Sequence, residues 1–135
     1  MMMLTRHTTL LLILIASGCD NAKRQSDLTN QAIVIHNSMI KKADGIERAL
    51  QELSNDSTFI HQQDSIHVAK NMLASWKLEL VEVPGNESHQ HDNHHHAQQS
   101  IDVTDEQMLA IQEELSYKLS SIEKLIMRIK SAKQE

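Results

Sequence analysis

Apolar residues recur at steps of three and four along three separate stretches of this chain, and no other feature constrains its fold as strongly. In the first stretch Leu28, Ala32, Ile35, Met39, Ile46, Ala49 and Leu53 form a stripe, with Lys42 filling its one gap and Ile33, Ile40, Ala43 and Leu50 widening it. Ile66, Ala69, Leu73, Trp76, Leu80 and Val83 make the second, and Met108, Ile111, Leu115, Ile122, Leu125 and Ile129 the third, widened by Leu119 and Ile126. A single apolar stripe at this period is the mark of a helix with one face on a core. The residue types agree: Phe59, Trp76 and Tyr117 are the only aromatics, Gly and Pro are scarce, and Leu, Ile, Ala and Met supply most of the apolar content. The expected class is all-α.

The first helix is expected from Asp27 to Leu53, running through Gly45 at a cost of about 1 kcal/mol relative to Ala. Ser54-Asn55-Asp56-Ser57-Thr58 is a polar connector, and the second helix follows from Ile60 to Glu82. Leu78-Glu79-Leu80-Val81-Glu82-Val83 also alternates as a strand would, but a lone strand has no partner here. Pro84-Gly85 stops either structure. The third helix, Asp105 to Ala132, has the best-marked start: Thr104 as N-cap with Gln107 three residues on, Val103 and Met108 placed for a hydrophobic staple, and Asp105 and Glu106 at the positive end of the dipole. Two long helices and a shorter one predict an antiparallel three-helix bundle with a long His-rich loop, 84–103, between helices two and three. A helical hairpin that forms a homodimer fits the same periods.

The N-terminus reads as an address. Arg6 and the terminal amine precede the apolar run Leu10 to Ile15, and Ala16-Ser17-Gly18-Cys19 follows with small residues. The run is too short to span a bilayer and is expected to be a signal peptide over 1–18. The small-small-Cys ending resembles the lipobox of bacterial lipoprotein precursors, with Ala16 where that family more often has Leu. The resemblance implies that Cys19 is acylated through its sulfur, becomes the first residue of the mature protein, and anchors it to the lipid bilayer. It places the protein on the cell membrane or the outer membrane, facing periplasm or exterior. Asp20 resembles an inner-membrane retention signal whose meaning varies between bacterial groups, so the membrane stays open. Residues 19–26 are expected to be a polar tether, of which the seven residues Asp20 to Ser26 reach about 25 Å if extended.

The one chemical hint is the loop. His89, His91, His94, His95 and His96 place five of the nine histidines within eight residues, and no Lys or Arg occurs from Leu78 to Tyr117. Nine acidic residues lie in that window, among them Glu87 and Asp92. Neutral imidazole is a ligand for Zn(II), Cu(II) and Ni(II), and carboxylates complete such shells. Zinc, copper or nickel is therefore the expected ion, with His89, His91, Asp92, His94, His95 and His96 as ligands. Binding should weaken below about pH 6.5, where histidine takes up a proton. The competing reading is a polar spacer that meets metal incidentally.

A second set, His36, Met39, Met72 and Trp76, could offer soft ligands to Cu(I) within a bundle, but Met and Trp at helical spacing are more often core, and His36 is then a boundary residue. This plan resembles small secreted helical bacterial proteins labelled "viral A-type inclusion protein", a label that describes no activity. Cys19, the lone cysteine, excludes an internal disulfide and a Cys-based zinc site. The formal charge is −5, and removal of residues 1–18 with Arg6 makes it −6, which argues against nucleic acid as partner. No phosphate loop, His-Glu-x-x-His or Gly-x-Ser-x-Gly pattern is present, so no enzyme is expected. The leading expectation is a lipid-anchored protein binding divalent transition metal; the alternative is a structural or adaptor bundle that binds another envelope protein.

Overall fold

The computed structural model describes residues 5–86 and 102–132, with side chains from residue 21 onward. Among them are three α-helices, α1 (Thr5–Asn55), α2 (Gln63–Glu79) and α3 (Asp105–Ser131), a 3-10 segment (Ser57–Gln62) before α2, and no strand. The protein is all-α. The three helices pack on one another around a shared core.

The seam of α1 keeps Ala32, Met39, Ile46 and Leu53 of the expected stripe and takes Ala43 and Leu50 from its widening, with His36 in place of Ile35. Its buried positions are Ala32, His36, Met39, Ala43, Ile46, Leu50 and Leu53, an unbroken four-three alternation. Ala43 takes the place that Lys42 would have filled, and Lys42 instead leans outward to bond Glu123 of α3 at 2.9 Å. Ile35 and Ala49 flank the core rather than form it. α3 behaves alike: Met108, Leu115, Ile122 and Ile129 of the expected stripe and Leu119 and Ile126 of its widening are buried together with Gln112, while Ile111 and Leu125 pack against the edge. Both seams therefore contain one polar residue, His36 and Gln112, where the apolar pattern had pointed to a neighbour.

The stripe of α2 is as expected, and all six of its members are buried. The helix is shorter. It ends at Glu79, where Leu80 turns to φ −63° and ψ 127°, and the chain runs extended through Val83 with Leu80 and Val83 still inside. The turn Pro84-Gly85 follows, closed by the Asn86 amide donating to the Val83 carbonyl at 3.1 Å. Gly85 sits at φ +79°, which a side chain would disfavour. At the other end of α2, the 3-10 segment replaces the expected first turns after Ile60. Asp56 caps it, accepting from the Thr58 amide at 2.9 Å, and Phe59 is buried beneath.

The start of α3 is built as its sequence reads. The Gln107 amide donates to Thr104 Oγ1 at 3.3 Å, and the Thr104 amide donates to Gln107 Oε1 at 2.9 Å. Val103 and Met108 pack in one small cluster with Ala32 and Val83. Trp76 ties α2 to α3 through Nε1, which donates to the Leu115 carbonyl at 2.9 Å.

Gly45 lies within α1 without interrupting it. Residues 20–26, expected as an extended tether, are likewise helical, so the distance they span shrinks from about 3.5 to about 1.5 Å per residue. Polar, solvent-exposed Asn21 to Ser26 continue the helix because nothing in Ala22-Lys23-Arg24-Gln25 breaks it. Among the described residues no helix is long and apolar enough to cross a membrane.

Candidate functional site

The residues expected to hold metal, His89, His91, Asp92, His94, His95 and His96, lie outside the described residues, and so does Glu87. Cys19 falls within α1. What the structure describes is the ground from which the His-rich stretch departs and to which it returns, residues 80–86 and 102–104.

This ground is held by apolar packing below and polar contacts above. Ala32 of α1, Val83 of the extended segment and Met108 of α3 are buried together, with Ile33, Val81, Val103 and Leu109 around them. Both borders of the stretch are thus fixed to the same part of α1. Above that cluster sits a buried polar node. Gln112 donates from Nε2 to the Val81 carbonyl at 2.9 Å, which leaves its Oε1 facing His36 Nδ1 at 3.2 Å. Met108 Sδ lies 3.5 Å from the same Nε2. On its other side the His36 ring approaches Glu82, with Nε2 3.3 Å from Oε2. His36 is 0% exposed, whereas the Glu82 side chain is 33% exposed. Beside the node, Asn37 and Asn86 exchange amide contacts, Asn86 Nδ2 donating to Asn37 Oδ1 at 2.9 Å and the reverse contact spanning 3.5 Å.

The local sequence explains why these side chains meet. His36 and Gln112 occupy equivalent seam positions on α1 and α3, each four residues beyond a buried partner, Ala32 and Met108. A carbonyl leaves the helical ladder where α2 ends, and buried carbonyls need donors. Gln112 supplies one to Val81. A purely apolar seam would leave that half-buried carbonyl to water.

The window from Leu78 to Tyr117 has no Lys or Arg in sequence, yet in space it is partly neutralised from outside. Lys118 bonds Glu79 at 2.7 Å and Glu114 at 2.9 Å, and these two carboxylates hold its ammonium above the usual lysine value, hydrogen bonding to Glu79 contributing most. Arg24 reaches Glu106 at 3.9 Å. Asp102 and Glu113 stay exposed.

The soft-ligand set is not assembled. His36 is interior and engaged by Gln112 and Glu82, so it is no boundary residue. Met39 is core, Trp76 spends its N–H on Leu115, and Met72 is 38% exposed on the outer side of α2. His61 and His67 are exposed. Among the described residues no three His, Cys, Asp or Glu side chains gather as a metal site. The polar residues that sequence reading passed over are Gln112, Glu82 and the Asn37–Asn86 pair. Only Gln112 left a trace there, as the residue four after Met108 and three before Leu115. No family model, curated protein or solved structure matches the chain.

Proposed function

We propose that this chain is a membrane-anchored extracytoplasmic lipoprotein, an antiparallel three-helix bundle whose His-rich loop binds a divalent transition metal as a buffer or handover site. The observation that carries the proposal is compositional: five histidines within eight residues, with Asp92 among them, inside a window without Lys or Arg. Imidazole nitrogens and a carboxylate at such density favour Zn(II), Cu(II) or Ni(II). The anchor is Cys19, on the strength of Ala16-Ser17-Gly18-Cys19 after an apolar run.

The packing supports the arrangement. Asn37 meets Asn86 and Glu47 meets Lys77, which favours opposite directions for α1 and α2. Arg24 meets Glu106 and His36 meets Gln112, which favours one direction for α1 and α3. The loop then leaves the bundle at the end nearest the anchor. Cys19 precedes Arg24 by about 7.5 Å of helix, at roughly 1.5 Å per residue. Metal on this loop would be held beside the membrane surface rather than far from it.

Titration calorimetry of the full chain in detergent micelles with Zn(II) and Cu(II), beside a variant with the five loop histidines replaced by serine, tests the proposal. Saturable heat from the first and none from the second is expected; equal heats overturn it. A second reading is favoured by Val68 and Met72, exposed on α2 next to the groove floored by Trp76. There the helical face docks another envelope protein and the loop is a spacer. Recovery of the same membrane partner by a chain lacking residues 89–96 distinguishes that reading.

A further inference from the structure

The outer face of α3 is divided by charge. Glu106, Ala110, Glu113, Tyr117, Lys124 and Arg128 lie along one line of the helix, opposite the buried seam of Leu115, Leu119 and Ile122, and all six are exposed. Residues 105–114 hold four acids and no base, whereas 118–130 hold four bases and one acid, Glu123, which bonds Lys42. The helix dipole favours such an order only within the first and last turns. Glu113 stands in the third turn and Lys124 two turns before the end, so the dipole accounts for neither. Lys118 is taken by Glu79 and Glu114, but among the described residues no carboxylate meets Lys124 or Arg128, and no base meets Glu113. Lys124 and Arg128 also stand four residues apart, a like-charge spacing that disfavours the lone helix. Set among these charges, Tyr117 is 71% and Met127 56% exposed.

We propose that this face pairs with the same face of a second copy running in the opposite direction. A two-fold axis near residues 118 and 119 sets Glu113 of each copy against Lys124 of the other, Met127 over Ala110, and Arg128 between Glu106 and Glu113. The two Tyr117 rings meet beside the axis, over Ser120 and Ser121, whose small side chains let the helices approach. A parallel pair would instead set Glu113 against Glu113 and Lys124 against Lys124. The exposed ion pairs contribute little to affinity and fix direction, while Tyr117 and Met127 supply the buried area. The association is therefore weak and salt-dependent. Antiparallel copies carry the N-terminal ends of their α3 helices apart. Copies standing side by side in one bilayer would bring like charges together, so the pairing joins copies held on two facing surfaces, a consequence that rests on the Cys19 anchor as the pairing itself does not.

Carbodiimide crosslinking of the full chain in micelles, read by mass spectrometry, tests the pairing. It should join Glu113 to Lys124, which stand about 16 Å apart along one helix at roughly 1.5 Å per residue, beyond the reach of a zero-length bond within a chain. Sedimentation should show a dimer that dissociates as salt is raised. Glu113→Lys and Lys124→Glu should each weaken self-association at least tenfold; the two variants mixed, or both changes in one chain, should restore it. A chain that stays monomeric in low salt overturns the proposal. So does self-association indifferent to both substitutions, or a mixture of the two variants that fails to associate. Vesicles bearing the acylated chain should cluster in low salt and disperse in high salt. Dispersed vesicles beside crosslinked pairs in micelles overturn the joining of surfaces alone, and an unacylated Cys19 overturns the anchor.

Discussion

Gln112→Leu should destabilise the protein although it replaces a buried polar residue by an apolar one of similar size. Gln112 is fully buried and serves two groups, His36 Nδ1 at 3.2 Å and the Val81 carbonyl at 2.9 Å. Leucine serves neither. A buried group left without its partner costs about 1–3 kcal/mol. Val81 is half-buried, so water can reach its carbonyl, and the two losses together come to about 3 kcal/mol. The added apolar burial offsets about 1 kcal/mol of this. The net loss is about 2 kcal/mol, a fall in Tm of about 8 °C at roughly 4 °C per kcal/mol. Thermal and urea unfolding of the full chain in micelles, followed by far-ultraviolet circular dichroism, measures it. The double variant His36→Leu/Gln112→Leu removes the ring together with its partner, so its loss should be smaller than the sum of the single losses by about 1 kcal/mol or more. A Gln112→Leu chain as stable as the parent, or strict additivity in the double variant, would refute the assignment of the node.

Thr104→Ala removes the hydroxyl that accepts from the Gln107 amide, and should cost about 1 kcal/mol, read as a lower urea midpoint with unchanged slope. Lys118 has its ammonium held above the usual lysine value by Glu79 and Glu114, so its contribution is complete below that value and is lost as pH rises through the raised one. Melting curves should therefore show the parent losing more stability than Lys118→Gln as pH rises above the ordinary lysine value of 10.5. Cys19→Ser should leave the chain unacylated, detectable as the absence of lipid mass and release from the membrane fraction; a lipidated or still membrane-bound product would count against the anchor.

Those effects differ in how visible their causes are in the sequence. The Thr104 cap was legible because its chemistry is local: a hydroxyl, an amide and a glutamine within four residues. The α2 stripe was legible because every member is apolar. On α1 and α3 the helices and most of their buried seam were legible, but one polar seam residue on each was not. Ile35 and Ile111 are apolar and stand one place before His36 and Gln112, so a pattern scored on apolarity selects them. The core instead admits the polar pair, because each satisfies the other across the helix interface. The early end of α2 has the same origin: Val81 gives up its helical bond where Gln112, thirty-one residues on, offers another. No window of sequence contains both partners. The conformation of residues 20–26 is a different case, since they are helical. Their polarity suggested a linker, yet polar residues without Gly or Pro continue a helix already started. Of the proposed metal ligands the sequence remains the sole source, since the structure describes only their flanks.

Nitrogen-labelled histidine NMR during Zn(II) titration of the full chain tests most directly whether the His-rich loop is where metal binds. The resonances of His89, His91, His94, His95 and His96 should shift or broaden together at low stoichiometry, reverse with chelator, and weaken in response below about pH 6.5, while His36, His61 and His67 stay unmoved. Loop resonances that ignore the metal, or a response confined to His36, His61 or His67, would contradict it.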